Sequence, residues 1–136
     1  MPNRVHWNSG YSMGNETLDR QHQNILAQCN AMADCLVSED PHADQKFNDI
    51  LTALLEQARE HFITEEALLI QCNYPTIDEH QNERDEFDYL TSDIIIAENF
   101  EAVELQRSLA LWWVGHIVGS GKNYRDCLGS FRSPNN

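Results

Sequence analysis

His61 and Glu65 stand four residues apart in the stretch His61-Phe62-Ile63-Thr64-Glu65, so on a helix an imidazole and a carboxylate share one face, one turn apart. Around the pair, Phe47, Ile50, Leu51, Leu54, Ala58, Phe62, Leu68, Leu69 and Cys72 recur at steps of three and four, which puts it in or beside the buried stripe of a long helix. Burying both groups is costly unless hydrogen bonds or a metal ion satisfy them. The spacing alone is a weak motif, common on solvated helix edges. Three more histidines, His22, His80 and His116, fall on the inward stripes of three other amphipathic stretches, and that changes the weighting. One histidine on an apolar face is usually a satisfied core residue; four with a carboxylate would each need a buried partner of their own. Imidazole plus carboxylate suits iron, manganese or zinc, and two histidines with one carboxylate is an iron(II) arrangement.

The elements that must position these five residues follow from the apolar period. A first helix is expected from about Glu16 to Val37 on the stripe Leu18, His22, Ile25, Leu26, Cys29, Ala33, Leu36, before Ser38-Glu39-Asp40-Pro41 breaks the pattern. The second, from about His42 to Gln71, carries His61 and Glu65 and ends at Asn73-Tyr74-Pro75. Thr76 can cap the third, about Ile77 to Glu98, whose stripe is Ile77, His80, Arg84, Phe87, Thr91 and Ile94. After Asn99-Phe100 the fourth runs from about Glu101 to Val118 on Val103, Gln106, Leu109, Ala110, Trp113, His116 and Ile117. Gly119-Ser120-Gly121 is expected to stop it, leaving a short helical turn from Lys122 to Leu128 and a frayed tail over 129–136. Residues 1–15, with Trp7 and Tyr11 as core cover, lack helical periodicity and read as an ordered arm across the domain. The fold class is therefore all-α, an up-down-up-down four-helix bundle with an N-terminal arm, forming one domain over 1–136. Bundles of this kind assemble metal sites from residues facing a common axis. His6 and His42, at element ends, are expected to be solvated.

Composition bounds the partners. The 22 Asp and Glu against 9 Lys and Arg give a formal charge of -13, a field that repels nucleic acid and anionic membrane surfaces and favours solubility. No apolar run approaches the roughly 20 residues of a membrane span, and no apolar signal segment follows Met1-Pro2-Asn3-Arg4, so the expected location is the cytoplasm. Cys29, Cys35, Cys72 and Cys127 form no CxxC pair and read as reduced, small apolar residues.

The residues also carry a family resemblance over almost the whole chain. Trp7; Gly14-Asn15-Glu16-Thr17-Leu18-Asp19-Arg20-Gln21-His22 with Asn30; His61-Phe62-Ile63-Thr64-Glu65-Glu66; Tyr74-Pro75 and His80; and Trp112, His116-Ile117 and Tyr124 together resemble a bacterial hemerythrin. That resemblance implies a four-helix bundle holding two non-heme irons that bind oxygen reversibly, with His22 and His61 serving one iron, His80 and His116 the other, and Glu65 bridging.

Three positions depart from the pattern. Arg84 stands where the family has a histidine one turn after His80, Gly121 where a second bridging aspartate follows His116, and Trp113 where a leucine usually lines the oxygen pocket. A guanidinium cannot ligate a cation and repels one nearby; the indole can fill the oxygen space. The expected site is accordingly altered: one iron, with zinc or manganese as alternatives and a diiron centre less favoured, held by His22, His61 and Glu65, or more centrally with His80 and His116 joining. Arg84 is expected to pair with Glu65 or Glu83 in place of the missing cation, turning outward in the second case, and Glu83, adjacent to the lost ligand position, is not expected to substitute for it.

Three functions compete on this reading. A hemerythrin-like protein that senses or stores metal, redox state or a small gas (O2 or NO), rather than carrying O2 in the ordinary way, comes first. A metal-free bundle acting as an interaction module with an unknown protein partner is its main competitor. A mononuclear iron enzyme of oxidative or peroxide chemistry ranks lower, because no separate acid–base pair or nucleophile is visible, although Glu65 and Tyr124 could be recruited.

Overall fold

The computed structural model describes residues 2–97 and 101–130, excepting the side chains of 93–97, 122, 129 and 130. Its helices are α1 (Glu16–Leu36), α2 (Ala43–Gln71), α3 (Ile77–Ala97), α4 (Ala102–Gly115) and α5 (Gly121–Ser130), with a π-helical turn over His116–Ser120 between the last two. There is no strand among the described residues. α1 packs on α2 and α4, and α3 on α2, the four-helix bundle that the periodicity requires. Residues 98–100 and 131–136, which include the expected end of the third helix, its connection and most of the tail, lie outside the described residues.

Local chemistry sets the helix ends. Asn15 caps α1, its side chain accepting from the Leu18 N–H at 3.0 Å. At the other end of α2, Asn73 takes a positive φ of 58°; its N–H reaches Ile70 O at 3.1 Å and the Tyr74 N–H reaches Leu69 O at 2.9 Å. Those two bonds are a Schellman closure, which turns the chain sharply into α3.

The arm is fixed to the bundle rather than loose. Val5 exchanges two hydrogen bonds with the Asn30 side chain, at 2.8 and 2.6 Å. Gln106 accepts from the Asn3 N–H at 2.7 Å and donates to Asn3 O and Cys29 O, which accounts for a buried amide in the fourth stripe. Trp7 and Tyr11 pack half-buried against the main core of Ile25, Leu54, Phe62, Leu109, Trp113 and their neighbours, each such fully buried large side chain contributing about 1.5–3 kcal/mol.

Two expectations fail at the C-terminal end. The glycines at 119–121 do not stop the fourth helix: Gly121 keeps right-handed helical angles (φ −57°, ψ −36°) and its N–H bonds back to His116 O, five residues earlier. The chain passes through that wider turn into the ten-residue α5, because Tyr124 and Leu128 have an apolar surface to bury against Met13, Leu18 and Leu69. Nor are all four cysteines reduced. Cys72 and Cys127 form a disulfide across 55 residues, tying α5 to the end of α2, while Cys29 and Cys35 are free. Closing a loop of that length constrains the unfolded chain by about 4 kcal/mol on the chain-entropy model.

Candidate metal centre

Each helix delivers one part of the interior cluster: α1 brings His22, α2 His61 and Glu65, α3 His80, and the start of the π turn His116. All five are buried. His22, His61, Glu65 and His116 each offer one ligand atom, and the four atoms lie within 4.8 Å of one another. His61 Nε2 is 3.0 Å from His22 Nε2 and 3.4 Å from His116 Nε2. Glu65 Oε2 lies 3.0 Å from His61 Nε2 and 3.8 Å from His22 Nε2; Oε1 lies 3.2 Å from His116 Nε2 and 3.0 Å from His80 Nε2. His80 therefore touches the same carboxylate but stands outside the compact group of four. His6 and His42 are exposed, as expected of element ends.

The proton positions follow from the hydrogen bonds outside the cluster. Thr64 Oγ1 donates to Glu60 O at 2.9 Å, so it accepts from Gln21 Nε2 at 3.3 Å. Gln21 Oε1 is thereby turned to accept from His61 Nδ1 at 2.9 Å. On the far side His116 Nδ1 donates to Glu83 Oε1, a carboxylate with nothing to donate. Both rings thus carry a proton on Nδ1 and turn Nε2 inward. Fixing one ring nitrogen by an outer partner so that the other is free to ligate is how proteins present metal-binding histidines.

Among the described residues, neither Glu65 oxygen has an assigned hydrogen-bond partner, nor does His80 on either ring nitrogen, nor His22 on Nδ1. Ring nitrogens and a carboxylate packed at 3.0–3.8 Å, with both Glu65 oxygens among the unsatisfied atoms, are an arrangement that a cation resolves. The residues present fit a metal ion, and the donor set of imidazoles with one carboxylate suits a first-row divalent ion.

Without a cation, protons redistribute. Burial pushes the His22 imidazole down to about 2, helped by repulsion from His61 and His116 and opposed by Glu65. Burial also lowers His61. For His116 the same desolvation is outweighed by the Glu65 and Glu83 carboxylates, which raise it to about 10. Glu65, despite complete burial, is held well below its usual range by His116 and His61. One proton on His116 thus balances one carboxylate.

Arg84 takes neither of the partners expected of it. It turns outward, donating through Nη1 to Glu66 Oε2 at 2.8 Å, with Asp85 at 3.6 Å, and pairs with neither Glu65 nor Glu83. Glu83 turns inward instead: besides His116 it accepts from Ser120 Oγ at 2.5 Å and from Tyr124 OH at 3.4 Å. Trp113 is fully buried, its ring centroid 5.6 Å from that of His61 and 5.4 Å from that of His116, and stacks on Phe62 at 5.4 Å. Gln21, Glu83 and Ser120 are the contributors that sequence reasoning missed. His80-x-x-Glu83 spacing was a signal for one of them, since residues three apart share a helix face.

Residues 13–120 match the family model described as "Hemerythrin HHE cation binding domain". The chain is also similar to a "Hemerythrin-like protein" from Naegleria gruberi and one from Naegleria fowleri, each 27% identical over 128 residues, covering 94% of this chain and 97% of the relative. No solved structure matches it. No helix among the described residues is long and apolar enough to cross a membrane. With the bundle, the buried imidazole–carboxylate cluster and a family match that spans all five converging residues, this chain belongs to the hemerythrin HHE cation-binding domain family.

Proposed function

We propose that this protein binds one non-heme metal ion, iron in the first instance, through His22, His61, Glu65 and His116, with His80 beside the Glu65 oxygen that also faces His116. The carrying observation is the convergence of four buried ligand atoms within 4.8 Å around a carboxylate whose two oxygens are left unsatisfied among the described residues. Grouping His116 with His22 and His61 favours the central placement of the ion over one confined to His22, His61 and Glu65. A bound ion of this kind supplies Lewis acidity and one-electron redox chemistry; the chain's own residues hold it, keep it dry and balance its charge.

Its role on this reading is sensing or storing metal, redox state or a small gas (O2 or NO) rather than ordinary O2 carriage. Trp113 supports that: its indole fills space against the His61 and His116 rings. Gly121 supports it too, since it has no carboxylate to offer a second ion. Metal analysis of untagged protein tests the proposal, with one ion per chain expected. Two irons per chain with the charge-transfer absorption of an oxo-bridged pair would overturn the single-ion reading. One observation favours the metal-free interaction module as a second reading: His116 Nε2 already stands 3.2 Å from Glu65 Oε1, where an imidazolium would neutralise the carboxylate without an ion. Colourless protein whose melting temperature ignores chelator would decide for it.

A further inference from the structure

We propose that Glu83 is a positioning residue of this centre: held by Ser120 and Tyr124 across the π turn, its carboxylate takes the His116 Nδ1 proton in a hydrogen bond and aims Nε2 at Glu65. The proposal deepens the single-ion reading and rests on it.

Three observations carry the argument. His116, Ser120 and Tyr124 follow one another at intervals of four along the π turn and α5, and all three side chains meet the one carboxylate from α3. An α-helix continued straight through this segment has no reason to bond Gly121 N–H to His116 O; the wider turn makes that bond, and such insertions mark sites where side chains must be re-aimed. Next, Glu83 ignores the cation beside it in sequence. Arg84 pairs with Glu66 and Asp85, so Glu83 is not a surface ion-pair partner that happens to lie near His116. Finally, the three imidazoles of the compact group are backed unequally: His116 by a carboxylate, His61 by the neutral amide of Gln21, and His22 by no described residue on Nδ1.

A carboxylate behind an imidazole raises its basicity and fixes its tautomer and ring plane, which an amide does more weakly. His116 is therefore the strongest neutral donor to the ion, and it is the one whose orientation is set by an element other than its own helix. Trp112 lies alongside the same ring, near-parallel at 10° with centroids 5.4 Å apart, and adds a further contact to it.

Cobalt(II) titration of the full-length protein, followed by its visible d–d bands and by competition with a chromogenic chelator, tests this. Glu83→Gln keeps shape and hydrogen bond but not charge, and should weaken Co(II) binding by about 10-fold; Glu83→Leu should approach about 100-fold. Both should shift the d–d bands, since the His116 donor changes. Glu66→Gln, which touches no ligand, should leave affinity and bands as they are. Far-UV circular dichroism checks folding, and the isosteric Gln variant carries the test if Leu does not fold. Unchanged affinity and bands in Glu83→Gln, with binding lost in His61→Ala, would overturn the positioning role and leave the metal site standing. Wild-type protein that binds no Co(II) would overturn both.

Discussion

Replacing Glu65 by Gln keeps the side chain's volume and removes the one negative charge among the four converging ligand atoms. The carboxylate is fully buried and has imidazole nitrogens at 3.0, 3.0, 3.2 and 3.8 Å, so no water screens the loss. Removing one side of a buried charge pair costs about 3–5 kcal/mol, which at about 1.4 kcal/mol per decade is roughly 100-fold or more in metal affinity. Thermal unfolding with and without chelator converts this into a readout. A free ion at about 100 times its Kd stabilises the wild type by about 2.7 kcal/mol. For a chain of 136 residues, an unfolding entropy of about 2.1 cal/mol/K per residue turns that into a shift of about 9 °C. At the same metal concentration the variant sits near or below its own Kd, where the gain is about 0.4 kcal/mol, or about 1 °C. Taking the difference within each protein removes whatever the substitution does to the metal-free fold. A Glu65→Gln variant that keeps the full chelator-sensitive shift would refute the assignment of Glu65 as the anionic ligand.

Two further expectations follow from the same cluster. Arg84→His together with Gly121→Asp should raise metal content from one ion per chain to two; a Cβ at position 121 has Met13 Cγ at 3.5 Å as its nearest neighbour, an ordinary contact distance, so a side chain can start there without a backbone clash, and a variant that still takes one ion would show that these positions are not what limits the site. The metal-free protein should be most stable near pH 6.5. His116 is raised to about 10, so its contribution is complete below the unfolded value of 6.5 and is lost as pH climbs toward 10. His22 is depressed to about 2, so below 6.5 the unfolded chain gains a proton that the native state refuses and stability falls again. Urea midpoints of chelated protein across pH 5–10, approximate bounds set by these two groups, check both limbs; a midpoint that rises steadily from pH 7 to pH 9 would contradict the His116 assignment.

The four inward histidines and Glu65 were legible because each sits on a period-3.6 apolar stripe, and the stripe alone fixes which way a helical residue faces. Arg84 and Glu83 were not, for a geometric reason. Measured from His80, position 83 lies about 60° to one side of the stripe and position 84 about 40° to the other; measured from Phe87 the two offsets exchange. Both are flank positions, and only the partners across the gap decide between them: Glu66 on the α2 side for Arg84, and His116, Ser120 and Tyr124 for Glu83. Gly119 and Gly121 looked like a stop because glycine allows the left-handed cap, but allowance is not demand. The apolar face of α5 had somewhere to go, against Met13, Leu18 and Leu69, and that burial outweighs the low helix propensity of the glycines. The Cys72–Cys127 pair spans 55 residues and depends on the same unforeseen extension, so no local spacing announced it.

The outward turn of Arg84 changes the ground on which a single ion is argued. A guanidinium inside the bundle would have excluded a second cation by repulsion; paired with Glu66 at 2.8 Å it leaves that charge spent at the surface. On the single-ion proposal, what opposes a second ion is then a shortage of donors. Beyond Glu65 the α3 side offers His80 alone among the described residues, because Glu83 is engaged with three donors and Gly121 offers no side chain. Shortage and repulsion predict different outcomes for the single substitution Gly121→Asp: repulsion leaves the metal count at one, whereas shortage lets the new carboxylate join His80 and Glu65 and recruit a second, weaker ion, visible as extra Co(II) bound at high concentration. A count that stays at one in Gly121→Asp and rises only when Arg84 is also replaced would return the argument to the cation.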